Sequence, residues 1–274
     1  MSFLGWLAAL SILFVVLERL NPWRREQHVY RKDFWKDLFY LFLNGHLVGI
    51  ALAFITPSLL YLLDRALEPT GLSTLLSMGI VSDWPFWGQF LVAFFAVDFL
   101  QWCIHNLLHR VPFLWEFHKT HHSIVTMDWM GHMRFHWVEG LIYKSLLFVP
   151  LTLLDIQPEV FLVFGVFTLG VGYFNHSNFN VDIGPLGFFF NNPRMHLWHH
   201  THPSCGPVLC NFALNLSLWD WLFRTAYLPR GIFPEEIGLA TEDRFPDSLW
   251  EQLVYPLRLR KGRGDGEESR RQPA

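Results

Sequence analysis

The chain has 274 residues, of which 51% are hydrophobic, 17% aromatic and 16% charged. A soluble domain is charged at about 25% of its positions, so the apolar excess argues against a soluble globular protein, and a formal charge of −3 gives no sign of nucleic-acid binding. Three cysteines, Cys103, Cys205 and Cys210, are too few for a disulfide framework, and the last two lack the C-x-x-C spacing of a metal site.

Residues 3–17 are apolar, with neither the basic leader nor the small-residue cleavage site of a signal peptide. They read as a retained anchor, a little short of the roughly 20 residues a bilayer needs. A polar link over 18–37 carries Arg19, Arg24, Arg25, Arg31, Lys32 and Lys36. Residues 38–63 are long enough to cross with tilt, Pro57 can kink them, and His46 inside them reads as a hydrogen-bonded core residue. The next link, 64–84, has a single cation, Arg65. A third span covers 86–104. The apolar runs 141–154 and 159–174, joined through "DIQP", are each short and predict a transmembrane hairpin. The final "RKGRGDGEESRRQPA" reads as a disordered tail. Three parts result: membrane segments and links over 1–85, a histidine-rich domain over 86–230, and a polar, partly disordered tail over 231–274.

Charge asymmetry orients the chain. Basic residues flank the cytoplasmic ends of spans, which places the 18–37 link and the C-terminus in the cytoplasm. Two crossings later the end of the third span is back on that side, and the histidine-rich segments with it.

Twelve of the 14 histidines fall between His105 and His202. "HNLLH" carries His105 and His109, "FHKTHH" carries His118, His121 and His122, and "MHLWHH" carries His196, His199 and His200. On a helix, residues three and four apart share a face, so each motif aims its imidazoles at one region. Imidazole suits zinc, copper, iron and nickel. Eight rings exceed what one ion takes and fit two. His136 and His176 bring the set to ten. His132, His202 and His46 stay outside as supporting or unrelated groups, although His132, one turn from His136, could replace it. Asp98, an ionisable group inside an apolar span, is two turns before His105 and is expected to fix a ligand's tautomer by accepting its N–H. Glu139, Asn175 and Asn178 are candidates for the same work.

With these residues on view, the chain resembles the fatty acid hydroxylase and sterol desaturase superfamily of membrane-bound non-haem di-iron oxygenases. The matching pieces are "DFLQWCIHNLLH", "FHKTHHS", "RFHWVEG", "NHSNFN", "RMHLWHH" and "NFALNLSLWDWLFRTAY", over about residues 95–227. The resemblance implies an all-α, multi-pass membrane bundle with a cytoplasmic-side helical cap and a polyhistidine di-metal site. It also implies two iron ions (zinc as a substitute), dioxygen as co-substrate, and attack on an unactivated C–H bond of a lipid substrate. The ligands carried over are His105, His109, His118, His121, His122, His136, His176, His196, His199 and His200, with Asp98, Glu139 and Asn175 as supporting residues. One departure is Gly172, where some members place a further histidine four residues before the one matched by His176. No cytochrome b5-like domain is fused, so a separate electron donor (cytochrome b5-like, ferredoxin or reductase) is expected. The bilayer would be a bacterial inner membrane, or the endoplasmic reticulum in a eukaryote.

Four rival readings are open. A desaturase shares the chemistry. A zinc hydrolase needs three ligands and a carboxylate base, and no H-E-x-x-H occurs. A metal transporter would place its ligands near the bilayer midplane, and a haem protein needs only two facing axial histidines.

Overall fold

In the computed structural model, residues 2–71, 79 and 81–257 are described; the terminal "RKGRGDGEESRRQPA" and most of the link around residue 75 lie outside them. The regular secondary structure of the described residues is helical, with two isolated β-bridges, Pro22 to Phe179 and Thr201 to Ile237.

Helix α1 covers Phe3–Leu20, and the Ser2 hydroxyl caps it by accepting from Gly5 N at 3.3 Å. Helix α2 (Phe34–Phe42) runs through a π turn at Leu43–Leu47 into α3 (Val48–Leu67). Single π turns often mark functional positions. Here the turn carries Asn44, fully buried, whose Nδ2 donates to the carbonyls of Met133 at 2.9 Å and Phe135 at 2.8 Å. Helix α4 is Phe86–Arg110, followed by α5 (Pro112–His122), which starts on a proline, favourable at a first helical position. A 3-10 turn at Trp129–Met133 leads to α6 (Trp137–Leu153) and α7 (Pro158–His176). These last two follow one another through residues 154–157, and of the pair only α7 is long and apolar enough to cross a membrane. Short helices α8 (Pro193–His199), α9 (Leu218–Leu222) and α10 (Leu249–Val254) complete the chain.

Among the described residues, four stretches are long and apolar enough to cross a membrane: Phe3–Leu20, Phe34–Thr70, Phe86–Arg110 and Pro158–His176. Their outer faces stay apolar: Phe54 is 79% exposed and Trp87 67%. A soluble monomer seldom shows such contiguous apolar surface, whereas lipid covers it at no cost; this is a membrane protein. Inside, Val97 and Phe94 of α4, Leu147 and Leu151 of α6, and Val160 and Phe164 of α7 form one core. A second core joins Leu7 and Phe14 of α1 to Tyr173 of α7 and to Trp129, Met130 and Met133.

The polar link is a structural element as well as a run of charge. Asn21 Nδ2 donates to Asn180 O at 2.6 Å, and Arg24 N to Asn178 Oδ1 at 2.9 Å. Arg31, buried, pairs with Asp37 at 2.7 Å and with Asp128. Glu18, at the end of α1, is also buried and accepts the backbone N–H groups of Trp129 at 2.9 Å and Asn178 at 2.8 Å. The link and the histidine-bearing segments therefore occupy the same end of the bundle. The C-terminal residues fold back onto it: Tyr40 donates to Gln252 Oε1 at 3.3 Å, Trp137 Nε1 to Leu253 O at 2.9 Å, and Tyr255 to Glu116.

Candidate metal centre

Nine imidazoles meet at the cap end. His105 and His109 come from the last turns of α4, His118, His121 and His122 from α5, His176 from the end of α7, and His196, His199 and His200 from α8 and its C-cap. They divide into two groups, each with ligand nitrogens within 4.8 Å of one another: His105, His109, His118, His122 and His199 in the first, His121, His176, His196 and His200 in the second.

Each His-x-x-His-His motif feeds both groups. His118 and His122, four residues apart, go to the first group while His121 goes to the second; His196 and His200 go to the second while His199 goes to the first. Helical geometry explains the split: at roughly 100° per residue, i and i+4 diverge by only about 40°, whereas i+3 and i+4 diverge by about 100°. The motif delivers two rings to one side and one to the other, so the single target region expected from spacing is two adjacent ones.

The outward-facing nitrogens are held. Nδ1 of His105 donates to Phe212 O at 2.7 Å, of His199 to Cys210 O at 2.8 Å, of His176 to Gly172 O at 2.8 Å and of His121 to Arg134 O at 3.3 Å. His118 Nδ1 donates to Glu139 Oε1 at 2.9 Å. A carbonyl can only accept, so the proton sits on Nδ1 and Nε2 keeps its lone pair. Those lone pairs then confront each other: His118 Nε2 is 3.2 Å from His105 Nε2, and His121 Nε2 is 3.3 Å from His176 Nε2. His109, His122 and His199 bury an Nε2 with no hydrogen-bond partner. Facing lone pairs with no donor between them are repulsive and call for a cation. Two metal ions fit this donor set.

Protonation agrees. Burial pushes the imidazoles of His121, His122, His196 and His200 well below their ordinary value, and neighbouring imidazoles push the same way. Burial takes His199 down to about 3. The rings stand neutral, the form that binds metal.

Several expected roles are corrected. His136 joins neither group: its Nδ1 caps α6 by accepting from Val138 N at 3.2 Å, and its Nε2 donates to Leu253 O at 3.1 Å. Both nitrogens are occupied. Asp98 touches no histidine. It accepts from Asn215 N at 3.1 Å, Asn215 Nδ2 at 2.9 Å, Leu216 N at 3.1 Å and Trp219 Nε1 at 2.9 Å. Seven residues return to the same helix face but also rise about 10 Å, beyond a side chain's reach to the His105 ring. Asn175 Nδ2 donates to Leu214 O at 2.7 Å, and Asn178 holds the Arg24 backbone. Glu139 makes the contact its expected role requires, with Oε1 2.9 Å from His118 Nδ1. His46 is half-buried and lines the cavity described below, instead of sitting in a core. His202 lies in a separate, partly exposed trio with Cys205 and Glu236.

Sequence reasoning missed Asp220. Fully buried, it accepts from Phe212 N at 3.0 Å, Ala213 N at 2.9 Å, Trp102 Nε1 at 2.9 Å and the Thr225 hydroxyl at 2.6 Å. Asp220 and Asp98 thus clamp the N–H groups of residues 212–216, while the carbonyls of Cys210 and Phe212 orient His199 and His105. Its signal was available: a lone acid in "LSLWDWLF" is as costly in apolar surroundings as Asp98.

A cavity of about 790 Å³, lined mainly by apolar groups, is walled by His105, His118, His121, His176 and His196 and by α3, α6 and α7 residues such as Ile50, Phe148 and Phe164. Its size falls in the range of ligand sites.

Residues 90–225 match the fatty acid hydroxylase family. The chain belongs to the fatty acid hydroxylase superfamily. It is 32% identical over 181 residues to an ornithine lipid hydroxylase of Rhizobium tropici, covering 66% of this chain and 54% of that protein. It is 32% identical over 145 residues to an alkylglycerol monooxygenase of Xenopus tropicalis, covering 53% of this chain and 31% of that protein. A sphingolipid C4-hydroxylase of Saccharomyces cerevisiae is 23% identical over 167 residues, or 60% and 47% of the two chains. The chain thus spans about half or less of the length of these relatives. No solved structure matches.

Proposed function

We propose that the protein is a di-iron oxygenase that hydroxylates an unactivated C–H bond of a membrane lipid. The observation that carries this reading is the pair of adjacent imidazole groups, with lone pairs turned inward, opening on an apolar cavity. Named activities of the relatives support it, since all three are lipid hydroxylases or monooxygenases.

His105, His109, His118, His122 and His199 would hold one iron, and His121, His176, His196 and His200 the other. When bound, the irons supply the dioxygen activation that side chains cannot. The chain's own residues do the rest. Backbone carbonyls hold Nδ1 of His105, His121, His176 and His199, and Glu139 holds that of His118, so in these five rings Nε2 is the free donor. The cavity takes an alkyl chain and excludes water from it, bringing a carbon up to the imidazole wall without leaving apolar surroundings. The cap end, which holds the basic link, faces the cytoplasm by the positive-inside rule, where a separate electron donor can dock. A bacterial inner membrane suits this arrangement.

The test is reconstitution of the purified, iron-loaded chain with dioxygen, a reducing protein pair and total membrane lipid, followed by mass spectrometry. A lipid product gaining one oxygen atom, only when dioxygen is present, is the expected result. A new double bond without added oxygen would turn the reading to a desaturase. Turnover with zinc and without dioxygen would replace it with a hydrolase.

A further inference from the structure

The two imidazole groups are unequal, five rings against four. Beside the smaller one lies a further buried histidine. His132, on the Trp129–Met133 turn, has its ring centroid 5.2 Å from that of His176. It lines the same cavity as His121, His176 and His196, and its Nδ1 is buried without a hydrogen-bond partner. A buried polar atom left unpaired is uncommon and calls for an explanation.

Gly172 explains how the ring comes to be there. A Cβ at residue 172 would sit 2.2 Å from His132 Cε1, 2.3 Å from Nε2 and 2.5 Å from Nδ1. The imidazole fills the volume that any side chain on that turn of α7 would claim. Gly172 has an ordinary helical backbone, so conformational freedom is not its reason; close approach is. The Gly172 carbonyl meanwhile accepts from His176 Nδ1 at 2.8 Å, so one residue both orients His176 and makes room for His132. The turn itself is well anchored, by Asp128 Oδ1 accepting from Met130 N at 3.0 Å, by Glu18 on Trp129 N and by Asn44 on Met133 O.

We infer that His132 is the fifth ligand of the His121–His176–His196–His200 group, entering from the 129–133 turn through the gap left by Gly172. Its nitrogens are not within the 4.8 Å spread that the other four share, so the ring would have to move toward the ion to ligate it. This makes the two metal positions alike in ligand number. The inference rests on the di-metal reading above, and the experiment separates the two.

The full chain is purified in detergent, stripped of metal, and titrated anaerobically with ferrous ion, with bound iron counted per chain. The wild type is expected to bind two ions. His132→Gln, close in volume and able to hydrogen-bond but a poor ligand, is expected to keep the first ion and to bind the second at least tenfold more weakly, in line with the losses seen when metal-site partners are removed. The double variant His132→Gly with Gly172→His projects an imidazole into the same volume from α7 and is expected to recover the second ion. A wild type binding fewer than two ions refutes the di-metal reading itself. A wild type with two ions and a His132→Gln variant with two at unchanged affinity overturns only the role of His132. If His132→Gln does not fold, the double variant decides alone: two ions at wild-type affinity support the assignment, and a weak or missing second ion, whether or not that chain folds, overturns it.

Discussion

Asp220 and His105 never touch, yet the first sets the direction of the second through one residue, Phe212. The Asp220 carboxylate accepts from Phe212 N at 3.0 Å, and the Phe212 carbonyl accepts from His105 Nδ1 at 2.7 Å. The same carboxylate takes Ala213 N, while Cys210, two residues before Phe212, orients His199. Two ligands of one group thus hang on a segment whose shape a buried acid imposes.

Asp220→Asn tests that relay. The amide keeps one acceptor oxygen where the carboxylate serves four donors and turns an N–H₂ toward the others. Metal affinity at the five-histidine group is expected to fall about 10- to 100-fold, as for other partners that orient ligands, while the four-histidine group keeps its ion. Anaerobic iron titration reads this directly; unchanged binding of both ions would mean the 210–216 segment holds its shape without the acid.

Glu139→Gln asks a different question of His118. Glutamine can still accept from His118 Nδ1, so the ring's direction and tautomer survive, but the negative charge beside it is gone. Two ions per chain are expected with turnover reduced roughly tenfold or more. Iron content measured beside product formation separates the two; full turnover in this variant would reduce Glu139 to a positioning acceptor whose charge is irrelevant.

The helices and most of the clustered histidines were legible because their physics is local. Apolar runs of span length and histidines at helical spacing declare themselves in one segment. What was not legible was pairing at a distance. Asp98 was assigned to a histidine two turns along its own helix, whereas its partners, Asn215 to Trp219, are more than a hundred residues away. His136 looked like a ligand by company, but a helix start claimed its Nδ1. Glu18, the first residue of the polar link, drew no role from its sequence context, although it is buried against Trp129 and Asn178. Nor does sequence spacing say how three rings on one short helix divide between two targets; that needs the neighbouring helix in place.

Metal loading should stabilise the fold. In the metal-free chain, Nε2 lone pairs of His105 and His118, and of His121 and His176, face each other at 3.2 Å and 3.3 Å. A ligand that binds only the folded state adds about 2.7 kcal/mol at a hundredfold excess over its Kd, which for a chain of this size is a rise in Tm of roughly 5–10 °C. Thermal unfolding in detergent, with and without ferrous ion under nitrogen, measures it. A Tm indifferent to iron would mean that the folded histidines are not holding it.

The last prediction concerns acid. Asp33 sits at the start of α2 and faces Lys36 at 2.7 Å and Arg134 at 3.4 Å. Burial raises its carboxyl, but those two cations outweigh burial and hold it below its usual 3.8. A folded value below the unfolded one means that the unfolded chain takes up a proton first as the pH drops. The contribution of Asp33 to stability is therefore fully present above the unfolded value and disappears as the pH falls through the folded one. Asp33→Asn, which cannot titrate, should unfold at a lower temperature than the wild type by a constant margin near neutral pH, and the margin should close as the pH falls below the usual 3.8 and through the lower folded value. Thermal melts of both chains across that range decide it. A margin that persists into acid would mean that Asp33 acts through its hydrogen bonds alone and that Arg134, fully buried, is neutralised by Asp37.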